Sequence, residues 1–149
     1  MTESVQFSQT VRNWMDVFMQ YSMSGWRQYV RASGLSMPQF SILIRLNYQG
    51  GCGISNISEH MDISTAAASQ LVDKLVQAGL LERTQNPYDR RAKQVTLSPK
   101  GREFIEQGIQ ERYRWMEELE ENLTPEEKVK IAEALEIMTR ATKELERIG

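Results

Sequence analysis

Asp89, Arg90, Arg91 and Lys93 are the residues of this chain best placed to do chemistry. They are crowded into one short segment, directly after the turn-forming run Gln85-Asn86-Pro87-Tyr88. Long cationic side chains at a hairpin tip suit the minor groove of duplex DNA. A carboxylate facing phosphate unpaired is unfavourable, so Asp89 is expected to accept from an arginine and brace the tip. Lys93 and Arg83 are placed to add phosphate contacts, which supply affinity and register but little sequence choice.

A second constellation lies just upstream. A helix that enters the major groove needs an inner face that anchors it and an outer face small enough to approach base edges. The segment from Ser64 to Gln77 divides in that way. Leu71, Val72 and Leu75 can anchor it, while Ser64, Thr65, Ala66, Ala67, Ser69 and Gln70 are small or hydrogen-bonding. Gln70 can pair with adenine or reach a phosphate. The Thr65 and Ser69 hydroxyls suit phosphates, and Ala66 or Ala67 can pack on a thymine methyl. Lys74 is a further candidate DNA contact on the same helix.

Catalysis has no comparable cluster. Cys52 is the only cysteine and His60 the only histidine. Neither belongs to a recognisable set of nucleophile, base and orienting group. Metal sites gather several ligands, and His60 has only Glu59 and Asp62 nearby, so no metal and no cofactor are expected. A reactive Cys52 would need a lowered pKa and access, and no positive charge adjoins it in sequence; structural use is expected.

The elements that must position these residues follow from periodicity and turn chemistry. Gln6 to Arg31 is expected to form one long helix, with Val11, Trp14, Phe18, Tyr21 and Gly25 on one face and Met15, Met19, Ser22 and Trp26 in an adjacent stripe. An apolar surface that wide implies contact with two bodies. Ser36 and Gln39 form an expected capping box for a helix reaching Tyr48, and Gly50-Gly51-Cys52-Gly53 breaks it. Ile54, Ile57 and Met61 mark a short helix, and Asp62-Ile63-Ser64 a tight turn into the small-faced helix. Leu80 to Thr84 reads as a strand and Ala92 to Leu97 as its returning partner, with Val95 and Leu97 on one face. Ser98-Pro99 opens a fifth helix that turns Phe104, Ile105, Ile109, Trp115 or Met116, and Leu119 inward. Thr124 and Glu127 make a second capping box before a last helix, whose stripe is Ala132, Leu135, Met138, Thr142 and Leu145, with Val129, Ile131 and Ile148 nearby.

Charge is segregated along the chain. The 149 residues sum to a net charge of −2. Arg83 to Arg102 nevertheless holds six basic residues and one acidic, while Glu103 to Glu127 holds nine glutamates and two arginines. That order implies a cationic reading face with an acidic back. No stretch has the ~18 apolar residues of a membrane span. The polar amino terminus lacks a signal-peptide core and one cysteine suits a reducing compartment, so the cytoplasm is expected.

Over nearly all of its length, and most strongly from Ile54 to Gly101, the chain resembles the MarR-type multiple-antibiotic-resistance regulators. Ile57-Ser58-Glu59-His60-Met61 is similar to the first helix of that family's helix-turn-helix. Gln70 through Leu81 is similar to its recognition helix and exit, and Asp89-Arg90-Arg91-Ala92-Lys93 through Gly101 to its wing. The resemblance implies that Asp89 braces the wing and that Arg91 enters the minor groove. It implies homodimers whose first and last helices interlock. It further implies a small aromatic or phenolic effector bound between the dimer base and the reading domain. Two departures stand out. Asp62 occupies a turn where the family often has glycine, and Ser64-Thr65-Ala66-Ala67-Ala68 is poor in base-reading groups.

The expected architecture is mainly α with a small β-hairpin wing, a winged helix-turn-helix inside a six-helix dimeric regulator. Residues 35–101 are expected to read DNA; residues 1–34 and 102–149 are expected to form the dimerisation region. Most of the first helix's aromatic and methionine side chains are expected to fill the dimer core, with Trp26, Tyr29, Arg31 and Phe40 lining the effector pocket. A ligand-responsive repressor binding a palindromic operator is the leading reading. A winged protein-interaction module is the alternative, but it would have no need of Arg90 and Arg91 together. A small enzyme using the pocket lacks a catalytic cluster.

Overall fold

The computed structural model describes residues 3–86, 88, 89, 91 and 93–145. Arg90, Ala92 and Ile148 therefore lie outside the described residues. The chain divides into two compact units, one up to Arg112 and one from Tyr113 onward.

The first unit opens with α1, Glu3–Ser33. The second helix, α2 (Met37–Gln49), begins where the capping residues place it. The Ser36 hydroxyl accepts from the Gln39 N–H at 3.3 Å, and the Gln39 side chain accepts from the Ser36 N–H at 2.9 Å. A short α3 (Ile54–Met61) and α4 (Thr65–Gln77) form the helix-turn-helix. Between them Asp62 sits at φ 53°, in the left-handed region that favours glycine. Aspartate tolerates this conformation better than most side chains, so the turn is kept without the glycine. Ser64 caps α4 by accepting from the Ala67 N–H at 3.1 Å.

Two strands follow, β1 (Leu81–Gln85) and β2 (Lys93–Leu97), paired antiparallel from Leu81 opposite Leu97 to Gln85 opposite Lys93. Alternation along β2 sends Val95 and Leu97 into the core, as the sequence pattern requires. The far side of Val95 pairs with Cys52: the Cys52 N–H donates to the Val95 carbonyl at 3.1 Å and the Val95 N–H to the Cys52 carbonyl at 2.8 Å. This gives the glycine-rich break a structural purpose. A Cβ at Gly51 would sit 2.8 Å from the Thr96 methyl carbon, so the backbone reaches β2 only because that position has no side chain.

Helix α5 (Pro99–Tyr113) closes the unit. Ser98 caps it by accepting from the Gly101 N–H at 2.9 Å while donating to the Gly79 carbonyl. The core joins Leu43, Leu46, Ile57, Val72, Leu75 and Ile105, all buried. Each such aliphatic side chain contributes about 1.5–3 kcal/mol. At its edge, α1 and α5 cross at glycines. A Cβ on Gly25 would lie 2.7 Å from the Glu111 carbonyl, and one on Gly108 would lie 2.7 Å from the Trp26 ring.

The second unit holds α6 (Trp115–Glu121) and α7 (Pro125–Leu145). The expected fifth helix is thus interrupted at Arg114, whose own backbone stays helical at φ −55° and ψ −36°. Among the described residues the six expected helices therefore appear as seven segments. Helix α7 starts at the second capping box, with the Thr124 hydroxyl accepting from the Glu127 N–H at 3.2 Å and the Glu127 carboxylate from the Thr124 N–H at 2.9 Å. No residue of α7 is buried within the chain.

Candidate nucleic-acid interface

Helix α4 is held by one face and open on the other. Ala68, Val72 and Leu75 are buried, with Leu71 partly so. Ser64, Thr65, Ala66 and Gln70 are exposed, and Ala67 and Ser69 are half-buried beside them. Ala68, Val72 and Leu75 thus face inward and Ser64, Thr65, Ala66 and Gln70 outward, with Ala67, Ser69 and Leu71 at the boundary. Lys74 is also exposed, near the carboxyl end of the helix.

The wing tip is shaped by side chains bonding to nearby backbone. The Asn86 amide oxygen accepts from the Tyr88 N–H at 2.9 Å. The Asp89 carboxylate accepts from the Arg91 N–H at 3.0 Å. Both are Asx turns, in which a short polar side chain stands in for a backbone carbonyl. Among the described residues, Asp89 braces the tip through this backbone bond. Arg91 and Lys93 are exposed. Arg90 cannot be placed, since it lies outside the described residues.

Arg83 is positioned differently from the expectation of a plain phosphate contact. Its guanidinium pairs with the carboxylate of Asp73 on α4. Both side chains are about half exposed, and pairs of this kind contribute little stability. The geometric effect is larger: β1 is pinned to the middle of α4, so wing and helix share one frame. Lys100 makes a second tie by donating from Nζ to the Ala78 carbonyl at 2.9 Å, satisfying the end of α4. Sequence reasoning missed both ties. Asp73 and Arg83 lie ten residues apart across a turn, and no helix or strand period links them.

Three of the four expected effector residues, Trp26, Tyr29 and Phe40, gather around the α1–α5 packing, and Arg31 does not join them. Trp26 and Phe40 are buried with ring centroids 4.8 Å apart, edge to face. Tyr29 stacks at 4.9 Å on Phe104 and donates its hydroxyl to the Phe104 carbonyl at 2.6 Å. Burial, with Glu111 nearby, pushes the Tyr29 phenol above its usual range. Arg31 is exposed in the last turn of α1. Phe40 borders an open groove. That groove, of about 360 Å³, runs along α2 past Ile44, Arg45 and Tyr48 to His60.

Cys52 is half-buried. Burial raises its thiol pKa, and Arg45 opposes that shift only in part. Both facts favour the structural use expected of it. No helix among the described residues is long and apolar enough to cross a membrane.

A family model described as the MarR family matches residues 35–93. The chain is 32% identical over 107 residues to the uncharacterized HTH-type transcriptional regulator YfiV of Bacillus subtilis, an alignment covering 72% of this chain and 67% of that protein. The crystal structure of the transcriptional regulator Tm0710 from Thermotoga maritima matches with a TM-score of 0.78 at 26% identity, over 93% of this chain and 95% of that one. BpsR of Bordetella bronchiseptica, whose DNA binding is regulated by 6-hydroxynicotinic acid, matches with a TM-score of 0.50 at 27% identity, over 87% of this chain and 98% of that one.

Proposed function

Because the chain belongs to the MarR family of DNA-binding winged helix-turn-helix transcriptional regulators, which are not enzymes, we propose that it is a ligand-responsive repressor reading a roughly palindromic operator as a homodimer. The observation that carries the reading is the shared frame of α4 and the wing. The small exposed face of α4 and the Asp89-braced tip with Arg91 are held together by the Arg83–Asp73 pair. In this reading Ser64, Thr65, Ala66, Ala67, Ser69 and Gln70 approach base edges and flanking phosphates. Lys74 and Lys93 hold phosphates, and Arg90 and Arg91 serve the minor groove. Arg83 contributes mainly by positioning. Residues 35–101 read DNA, and residues 1–34 with 102–149 form the dimer base.

Likeness to BpsR supports an effector of small aromatic or phenolic character. Phe40 joins the Trp26 cluster to the α2 groove. A flat ligand seated against it would press on α1 and the helix-turn-helix together. The energetic requirement is modest. Lowering operator affinity ~100-fold takes about 2.7 kcal/mol of coupling, and operator must weaken effector binding by the same factor.

Footprinting of the purified protein on genomic DNA tests the core of this reading. Discrete protected sites of two-fold symmetry, with affinity falling steeply as salt rises, are expected. Uniform coating without discrete sites would leave a protein-interaction role as the better account.

A further inference from the structure

Tyr88 is 97% exposed, the most exposed of the large apolar and aromatic side chains in the described residues. It stands in the wing tip, where turn chemistry ordinarily selects glycine, proline, asparagine, aspartate or serine. Its backbone is fixed on both sides. Its own N–H donates to Asn86, and the next residue, Asp89, accepts from the Arg91 N–H. The backbone bonds need nothing from the tyrosine ring. At that exposure the ring has almost no packing role within the chain. A residue that breaks a local rule without a local gain is expected where function sets the choice.

We propose that Tyr88 is a DNA-contact residue of the wing, its ring lying along the deoxyribose wall of the minor groove and its hydroxyl donating to a backbone phosphate. Three features select duplex DNA as the occupant. The tip is continuous with the reading face, since β1 is tied to α4 through Arg83 and Asp73. Arg91 is exposed three residues away and supplies charge complementary to phosphate. Tyrosine also suits this role chemically. Its ring is large and amphipathic with little side-chain entropy to lose, and its hydroxyl is among the groups that bond phosphate oxygens. The contact adds grip and register at the flanks of the site without reading base identity. It rests on the DNA-reading role of the wing proposed above.

The test uses the full-length protein and a duplex that the wild type selects from a random-sequence library. Tyr88→Ala should bind that duplex about tenfold more weakly, and Tyr88→Phe, which keeps the ring, should lose about threefold. The dependence of affinity on salt should be the same for all three proteins, because each keeps every cation. Melting temperature should not move. Hydroxyl-radical footprints should show the loss confined to the outer minor-groove stretches, with the centre still protected. Binding by Tyr88→Ala within twofold of wild type would overturn the proposal while leaving the reading by α4 intact. A protein-facing role for the tyrosine is that outcome joined to loss of repression in cells. Failure of the wild type to select any duplex would overturn the DNA-reading function itself, and this contact with it.

Discussion

At the scale of single residues, the wing concentrates the consequences. Arg91 is exposed, and its backbone N–H is held by Asp89. A cation at an exposed hairpin tip would gain from the focused potential of a narrow minor groove in the proposed reading. Arg91→Ala is expected to weaken operator binding on the order of tenfold or more while leaving assembly unchanged; a titration at physiological salt beside a sedimentation run checks both halves. Lys93→Ala should cost less, and should lower the salt slope by roughly 1 for each phosphate left without its cation. Cys52 makes a contrasting case. Burial holds its thiol in the neutral form, and Arg45 offsets this only partly. A raised folded-state pKa favours the protonated form, so the thiolate should become abundant only as pH climbs above the ordinary thiol range. Alkylation of native protein should be slow at neutral pH and accelerate only in that alkaline window; rapid labelling at pH 7 would show an accessible thiolate. Of these residues, the cationic tip and the small face of α4 were legible in sequence, because residue type alone carries that chemistry. That Asp89 also accepts from the Arg91 N–H was not, since an Asx turn depends on local backbone geometry that spacing does not contain.

At the scale of elements, legibility followed the range of the interaction. Both capping boxes, Ser36 with Gln39 and Thr124 with Glu127, form within one helical turn, so the sequence places the starts of α2 and α7 directly. The alternation of Val95 and Leu97 likewise fixes the face of β2. The pairing of Cys52 with Val95 joins residues far apart in sequence through two backbone bonds, and nothing in either side chain announces it. The packing of Trp26 on Phe40, and of Tyr29 and Phe40 on Phe104, was also hidden. An aromatic stripe does not say which ring of another helix it will meet, and Phe104 on α5 meets both Tyr29 and Phe40. The glycines of α5 are the most testable part of this packing. A methyl group at Gly101 would stand 2.0 Å from the Leu80 carbonyl oxygen, whereas one at Gly108 would meet the ring carbons of Trp26 and Tyr29 at 2.7 and 2.8 Å. Rings can tilt, but the backbone at Leu80 is held by its own hydrogen bonds, including one from the Ser98 N–H at 3.1 Å. Gly108→Ala is therefore expected to cost about 1–3 kcal/mol, and Gly101→Ala more than Gly108→Ala. Chemical denaturation of the two variants beside wild type measures the order; a Gly101→Ala protein as stable as wild type would mean that β2 and α5 join differently.

At the scale of the whole molecule, the largest unexplained quantity is apolar surface. Phe7, Met15 and Met19 on α1, and Leu135 and Leu145 on the α7 stripe, are all exposed in the single chain. Isolated surface hydrophobics are ordinary, but long stripes on two helices mark an interaction surface. Burial of these stripes against a second copy would supply stability that a lone chain lacks. Two-fold pairing also matches the chemistry of the target. A symmetric dimer presents two α4 helices to half-sites about one turn of DNA apart, ~34–36 Å, and binding energy from both halves adds. Leu135→Glu separates the possibilities. If Leu135 stays as open as it is in the single chain, the change is a surface substitution worth within about 0.5 kcal/mol. If the stripe is a dimer seam, the glutamate must be buried without a partner, and several kcal/mol of association are lost. Wild type is expected to sediment as a dimer at micromolar concentration and Leu135→Glu as a monomer that retains its helix content. The variant should then bind a half-site fragment as well as wild type does, yet lose the extra affinity of the full operator. A wild-type monomer in the ultracentrifuge, or a Leu135→Glu protein that still dimerises with full operator affinity, would place the partner of α7 elsewhere.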